Sequence, residues 1–217
     1  MNNLNYKKFY KRNLPHYQLK DSYYFITFTL AFSYSQKFIN KLKKEKEAYE
    51  EISSKLDDDE KSEFKLIFHK KSYDYFEEYL HKANQCINYL EDNKISEIVA
   101  ESLHFFDKVR YDLSAYCIMP NHVHLIIKPY EENNDKPYAL QKIMHSIKSY
   151  TANQCNEILN KTGQFWNYEN YDHLIRDEKD FYRCLQYVID NPVKARLVNE
   201  WNEWKYTYVS KDFLEYE

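Results

Sequence analysis

The sequence predicts an α+β fold, in which a mostly antiparallel sheet carries helices on one side. Three patterns point there. Residues 23–30 are β-branched or aromatic at almost every position, as in a buried strand. Residues 36–108 contain no Gly or Pro and are rich in Lys, Glu and Leu, a helical composition. Two further strand-like runs, 111–118 and 122–128, flank the turn signal Pro120-Asn121 and form a hairpin.

The remaining elements follow in chain order. Ile95, Ile98, Val99, Leu103 and Phe106 continue an apolar stripe toward the second strand. Leu140, Ile143, Met144, Ile147, Cys155, Ile158 and Leu159 recur at helical spacing, which predicts a helix over about 138–160 with Gly163 as its stop. A short strand is expected over 171–175. Asp177 then caps a helix that runs to about residue 190 and that Pro192 ends. The C-terminal part, with Trp201 and Trp204, is expected to pack back on the body. This order fits one domain over 1–217, with 36–108 as a long helical insertion after the first strand and 1–20 as a basic arm.

Composition narrows the function. The net charge of -3 gives no global basic field. The charge is uneven, however. Residues 1–20 carry Lys7, Lys8, Lys11, Arg12 and Lys20 with no acid, while Asp57-Asp58-Asp59-Glu60 centres an acidic stretch. The arm is either a phosphate contact or a solvated tail. The 23 tyrosines against a single glycine reflect either an AT-rich gene or rings available for stacking on bases. The 4 cysteines form no CxxC, so neither a disulfide framework nor a structural zinc site is indicated. No signal peptide and no apolar run of transmembrane length is present, which leads to the expectation of a cytoplasmic protein with no membrane partner.

The chemistry begins at Asn121-His122-Val123-His124. Side chains two apart in a strand share a face. His122 and His124 are therefore expected side by side, a pair of nitrogen donors for one metal ion. Two ligands do not complete a site, and the helix after Asp177 supplies the candidates. Phe181, Leu185, Val188 and Ile189 form its apolar stripe. Arg183, Tyr187 and Asn191, spaced by four, share a face off that stripe. A divalent ion held by His122, His124 and Asn191 polarises a phosphodiester, and the Tyr187 hydroxyl attacks phosphorus. Mixed nitrogen and oxygen ligands suit Mg²⁺ or Mn²⁺, whereas zinc recruits a third His, Cys or carboxylate.

Here the residues reach a known family. Met119-Pro120-Asn121-His122-Val123-His124-Leu125-Ile126 resembles the HUH motif of the single-tyrosine transposases. Three further segments agree in order and spacing. They are Ser146-Ile147-Lys148-Ser149-Tyr150-Thr151, then Phe165-Trp166 with Tyr171-Asp172-His173-Leu174-Ile175-Arg176-Asp177, then Tyr187-Val188-Ile189-Asp190-Asn191-Pro192-Val193-Lys194. Together, over about residues 21–205, they resemble the REP-associated tyrosine transposases, relatives of the insertion-sequence transposases.

The resemblance implies a ferredoxin-like catalytic domain that cuts and rejoins single-stranded DNA at hairpin-forming repeats. It implies His122 and His124 as metal ligands, Asn191 as the helix ligand and Tyr187 as the nucleophile. Cleavage then leaves a 5′-phosphotyrosine and a free 3′-hydroxyl. It leaves open whether Tyr187 completes its own chain's site or a partner's in a homodimer.

Other residues carry two readings each. Lys148, Arg176, Arg183, Lys194 and Arg196 either line a DNA groove or are solvated charges. Trp166 either stacks on an unpaired base or packs in the core. His173 either assists at the phosphate or is structural. Two rival functions stand beside the strand transferase. One is a domesticated protein that binds DNA hairpins without cutting. The other is a metal hydrolase in which water attacks and Tyr187 only hydrogen-bonds.

Overall fold

The computed structural model describes residues 9–11, 15–31, 36–57, 87–133 and 136–213, together with scattered helical positions between 60 and 79. In chain order the strands are β1 (Phe9–Lys11), β2 (Pro15–Tyr17), β3 (Tyr24–Thr29), β4 (Tyr111–Ile118), β5 (His122–Pro129), β6 (Glu131–Asn133), β7 (Lys136–Pro137), β8 (Tyr171–Leu174) and β9 (Thr207–Val209). The helices are α1 (Gln36–Ser53), α2 (Asn93–Phe105), α3 (Leu140–Ile158) and α4 (Glu178–Lys194). The chain divides into two compact units, residues 1–31 with 88–217, and residues 32–87.

The larger unit is built on one antiparallel sheet in the order β8-β3-β5-β4-β9. Register assigns its faces. Thr27 pairs with His124 and Thr29 with His122, so Phe25, Thr27, Thr29, His122, His124 and Ile126 share one face. Tyr24, Ile26, Phe28, Val123 and Leu125 share the other. Every residue of β3 is buried, because both faces are covered. On the Phe28 face, Trp166 sits edge-on to Phe28 and donates its indole N–H to Thr151 of α3 at 2.8 Å. Tyr116 of the same face meets His104 of α2. On the histidine face, Tyr187 of α4 packs edge-on against Phe25 and His124.

The antiparallel sheet with helices follows the sequence reading. The two helices that connect its strands, α2 and α3, lie on one face as expected, whereas α4 lies on the other. The difference is physical: β3 and β5 are buried at nearly every position, and the face with the histidines also carries Phe25 and Ile126, so it too is covered.

Helix ends also differ from expectation. Gly163 does take a left-handed φ of 96°, but α3 has already stopped at Asn160, with φ 50°. Asn160 N–H bonds to Glu157 and Lys161 N–H to Asn156, a Schellman closure. Asp177 caps α4 by accepting from the Asp180 N–H at 2.8 Å, as expected. Pro192 does not end that helix. It lies inside the last turn, buried, where its ring costs a single N–H bond. The stop is Arg196, left-handed at φ 58°, with the same pair of closing bonds.

The helical stretch expected over 36–108 is divided. The helix α2 belongs to the sheet unit, and the 3-10 turn Tyr89–Glu91 precedes it. In the smaller unit Phe38 of α1 stacks on Tyr75 and Tyr79, and Tyr49 on Phe64 and Phe68. Contacts that run backward along the chain this way make an antiparallel helical hairpin. Its acidic centre has a local use: Asp57 and Glu60 accept each other's backbone N–H at 2.9 and 3.2 Å, a capping box. Of the basic arm, residues 1–8 and 12–14 and the Lys11 side chain lie outside the described residues. Lys20 pairs with Glu131 at 2.7 Å.

Trp166 is a core residue, 4% exposed, so Trp166→Ala should cost roughly 3–5 kcal/mol of unfolding free energy. Urea titration of the purified variant measures this, and a loss below 1 kcal/mol would contradict its placement.

Candidate active site

The histidine pair forms because β5 runs straight from the hairpin bend into the middle of the sheet. His122 and His124 are 1% and 0% exposed, and their Nε2 atoms face each other at 3.0 Å. The outer nitrogens are held. His122 Nδ1 meets Asn121 Oδ1 at 2.5 Å, and His124 Nδ1 meets Thr27 Oγ1 at 2.9 Å. An amide oxygen only accepts, so His122 donates from Nδ1 and turns a lone pair inward from Nε2. With the Thr27 hydroxyl accepting, His124 does the same. Two lone pairs at this distance repel unless a proton or cation lies between them. Orienting partners on Nδ1 and converging Nε2 atoms are how imidazoles are set to hold a metal.

Tyr187 is half-buried beside this pair. Its ring centroid lies 5.3 Å from His124 and 5.7 Å from Phe25, edge-on to both. Phe25 in turn stacks on His124 at 5.6 Å. From Phe181 against Tyr23 to Tyr187 against Phe25, α4 advances along β3. Asn191 lies one turn beyond Tyr187 on the buried side of the same helix. Asn191 is fully buried, and among the described residues neither its Oδ1 nor its Nδ2 has a hydrogen-bond partner. Leaving a buried amide unsatisfied costs about 1–3 kcal/mol, and a cation accepting electron density from Oδ1 would offset part of that cost. Two inward nitrogens and one orphaned amide oxygen thus fit a divalent ion.

The sequence reading placed Tyr187 and Asn191 on a polar face off the apolar stripe. The structure turns that face inward. The buried side of α4 comprises Asp180, Phe181, Cys184, Leu185, Val188, Asn191 and Pro192. Tyr187 stands at its edge, and Arg183 projects to solvent with 66% of its side chain exposed.

The basic candidates separate into different environments. Lys148 is half-buried and donates to the carbonyl of Asn167 at 2.7 Å, tying α3 to the loop before β8. The Lys194 ammonium lies 5.4 Å from the Tyr187 ring and 3.3 Å from Asp190. Arg183 pairs with Asp180. Arg176 and Arg196 are exposed. Trp166, buried against Phe28, presents no open face to a base. His173 bonds Asp180 through Nε2 at 2.8 Å. Thr27, Asn121, Phe25 and Asp180 were not singled out from sequence. Thr27 had a signal, as a polar residue inside an apolar strand.

Burial pushes the Asp180 carboxyl up, but His173, the Arg176 N–H and Arg183 outweigh it and hold the group below its usual 3.8. Its stabilisation is complete above the unfolded value and fades as pH falls through the lower folded one. Asp180→Asn should therefore flatten the loss of stability between about pH 5 and pH 2, read from urea midpoints across that range. An acid profile identical to that of the parent would rule this assignment out. Burial also pushes the Cys117, Cys155 and Cys184 thiols up to about 12. These three should stay unalkylated when the folded protein is treated briefly with iodoacetamide and mapped by mass spectrometry.

Comparison with known proteins gives the family of this chain. The family described as "Transposase IS200 like" matches residues 81–190, half of the chain. A putative REP-associated tyrosine transposase of Haemophilus influenzae is 32% identical over 111 residues, covering 47% of this chain and 61% of the relative. A REP-associated tyrosine transposase of Escherichia coli is 24% identical over 102 residues, covering 47% and 56%. The chain thus spans about three-fifths of the length of these curated relatives. A solved REP-associated tyrosine transposase bound to a REP hairpin shares the fold, with a TM-score of 0.51 at 15% identity, over 91% of this chain and 82% of that one. With half of its length matched to the family and the histidine pair inside that half, the chain belongs to the IS200-like transposases.

Proposed function

We propose that this protein is a strand transferase that cuts and rejoins single-stranded DNA beside hairpin-forming repeats, with Tyr187 as nucleophile. The observation that carries the reading is the Tyr187 ring at 5.3 Å from His124, whose Nε2 converges with that of His122. His122, His124 and Asn191 would hold Mg²⁺ or Mn²⁺. When bound, the ion draws electron density from a phosphodiester oxygen and offsets the charge that develops in displacement.

The chain's own residues do the rest. The Tyr187 oxygen bonds to phosphorus as the bond from phosphorus to the 3′ oxygen breaks. The phenol proton is released, and the departing 3′ oxygen takes one up. The product is a 5′-phosphotyrosine with a free 3′-hydroxyl, and attack by a 3′-hydroxyl reverses the step, so no nucleotide cofactor is needed. Phe25, edge-on to Tyr187 and stacked on His124, limits the swing of both rings. Lys194 and Arg183 lie one to two turns from Tyr187 on exposed faces of α4, where the DNA backbone would approach. Arg176, Arg196 and Lys148 are further candidates for that path, and Lys148 would first have to leave its backbone carbonyls. The relative solved with a REP hairpin supports hairpin DNA as the partner. The order β-α-β-β-α-β of the central elements supports a ferredoxin-like catalytic domain. Among the described residues no helix is long and apolar enough to cross a membrane.

Incubation with Mn²⁺ and single-stranded hairpin DNA from repeats flanking the gene should give a covalent adduct that maps to Tyr187. Tyr187→Phe should abolish it while the protein still folds. His122→Ala, His124→Ala or chelation should slow it roughly 100-fold or more, the loss of several kcal/mol of charge stabilisation. An adduct of undiminished yield in Tyr187→Phe would refute the nucleophile, and cleavage without any adduct would point to water.

A further inference from the structure

The structure assigns Asp180 as the positioning residue that sets the rotation of α4 and so delivers Tyr187 to the histidine pair. This rests on the reading of Tyr187 as nucleophile. The apolar residues of α4 alone would not place it there. At about 100° per residue, the stripe of Phe181, Cys184, Leu185 and Val188 has its centre roughly 110° round the helix from Tyr187. A helix docked on that stripe alone turns the phenol away from the sheet. Asp180 lies two turns before Tyr187 and within about 20° of its direction. It is 8% exposed, which a carboxylate tolerates only when paired.

Asp180 is paired three ways. His173 Nε2 meets one oxygen at 2.8 Å, the Arg176 N–H donates to the same oxygen at 3.2 Å, and Arg183 holds the other. Two of these partners belong to β8 or lie two residues past it. His173 lies on β8 directly opposite Phe25 on β3, and Phe25 is the ring that touches both Tyr187 and His124. The carboxylate therefore pins the side of α4 that carries Tyr187 to the strand beside the ring that Tyr187 must meet. Turning α4 toward its apolar optimum would pull a buried charge off its two donors outside the helix, His173 and the Arg176 N–H, while Arg183 turns with it. The cluster also includes Cys184, and these side chains have the donor types of a metal site. Arg183 on the same carboxylate argues against a cation there.

The test measures adduct formation at saturating hairpin DNA, half-saturation and thermal stability in Asp180→Asn, His173→Leu and His173→Gln. Wild type and Tyr187→Phe run alongside. An adduct in wild type that is lost in Tyr187→Phe establishes the underlying reading separately. Asp180→Asn and His173→Leu should then lower the saturated rate at least tenfold and move half-saturation less than threefold. His173→Gln keeps an N–H toward Asp180 and should recover most of the rate. A crystal structure of Asp180→Asn gives a readout independent of activity, with the Tyr187–His124 ring separation expected to exceed 5.3 Å. A saturated rate within twofold of wild type would overturn the proposal. So would rate and half-saturation falling together with melting temperature. Stoichiometric Zn²⁺ that survives His122→Ala with His124→Ala, but not Cys184→Ser, would make the cluster a metal site and overturn it too.

Discussion

Two imidazoles facing each other nitrogen to nitrogen inside a protein are an expensive arrangement, and much of this fold is organised around it. His122 and His124 are almost wholly buried with their Nε2 atoms 3.0 Å apart. That geometry survives because each ring is gripped from behind, by Asn121 and by Thr27. The grip depends on register. Thr27 reaches His124 because it sits directly opposite on β3, and a slip of one residue would turn Thr27 to the other face. The central pairing of β3 with β5 is thus both the core of the sheet and the orienting shell of the candidate metal ligands.

Helix α4 spends polar residues on its inner face, where an optimised core would carry none. Asp180 is fully engaged, while Asn191 has two buried amide atoms without partners. A chain selected only for stability would place apolar side chains at both positions. Departures from packing rules of this kind gather where function is made. Their common direction is informative: at about 100° per residue, both lie on the side of the helix that carries Tyr187.

The surface chemistry is more restrained than that of a strongly basic DNA-binding domain. Arg183 and Lys194 each bind an acid of their own helix, and the chain carries a net charge of -3. The exposed Lys194–Asp190 pair is weak, on the order of 1 kcal/mol or less, so a phosphate can compete for that cation, whereas Arg183 is tied to a buried carboxylate. Contact with a polyanion is then a matter of local exchange, with little long-range field to draw it in.

Much of this was legible in the residues. The alternation in Asn121-His122-Val123-His124 dictates that both rings share a face, because the strand repeat is two. The β-branched and aromatic character of residues 24–29 dictates a strand buried on both sides, and the Pro120-Asn121 bend dictates the hairpin. Local chemistry also placed the Asp177 cap. What no local pattern contained was the rotation of α4, because periodicity reports where apolar side chains lie and not which buried charge they must accommodate. The sequence pointed Tyr187 away from the core, yet the carboxylate of Asp180, bonded to a strand neighbour and a guanidinium, turned it to the histidines. The same holds for Trp166, whose burial is set by Phe28 and Thr151, partners distant along the chain. A motif can name its donors, but only tertiary contacts determine their distance from the group they serve.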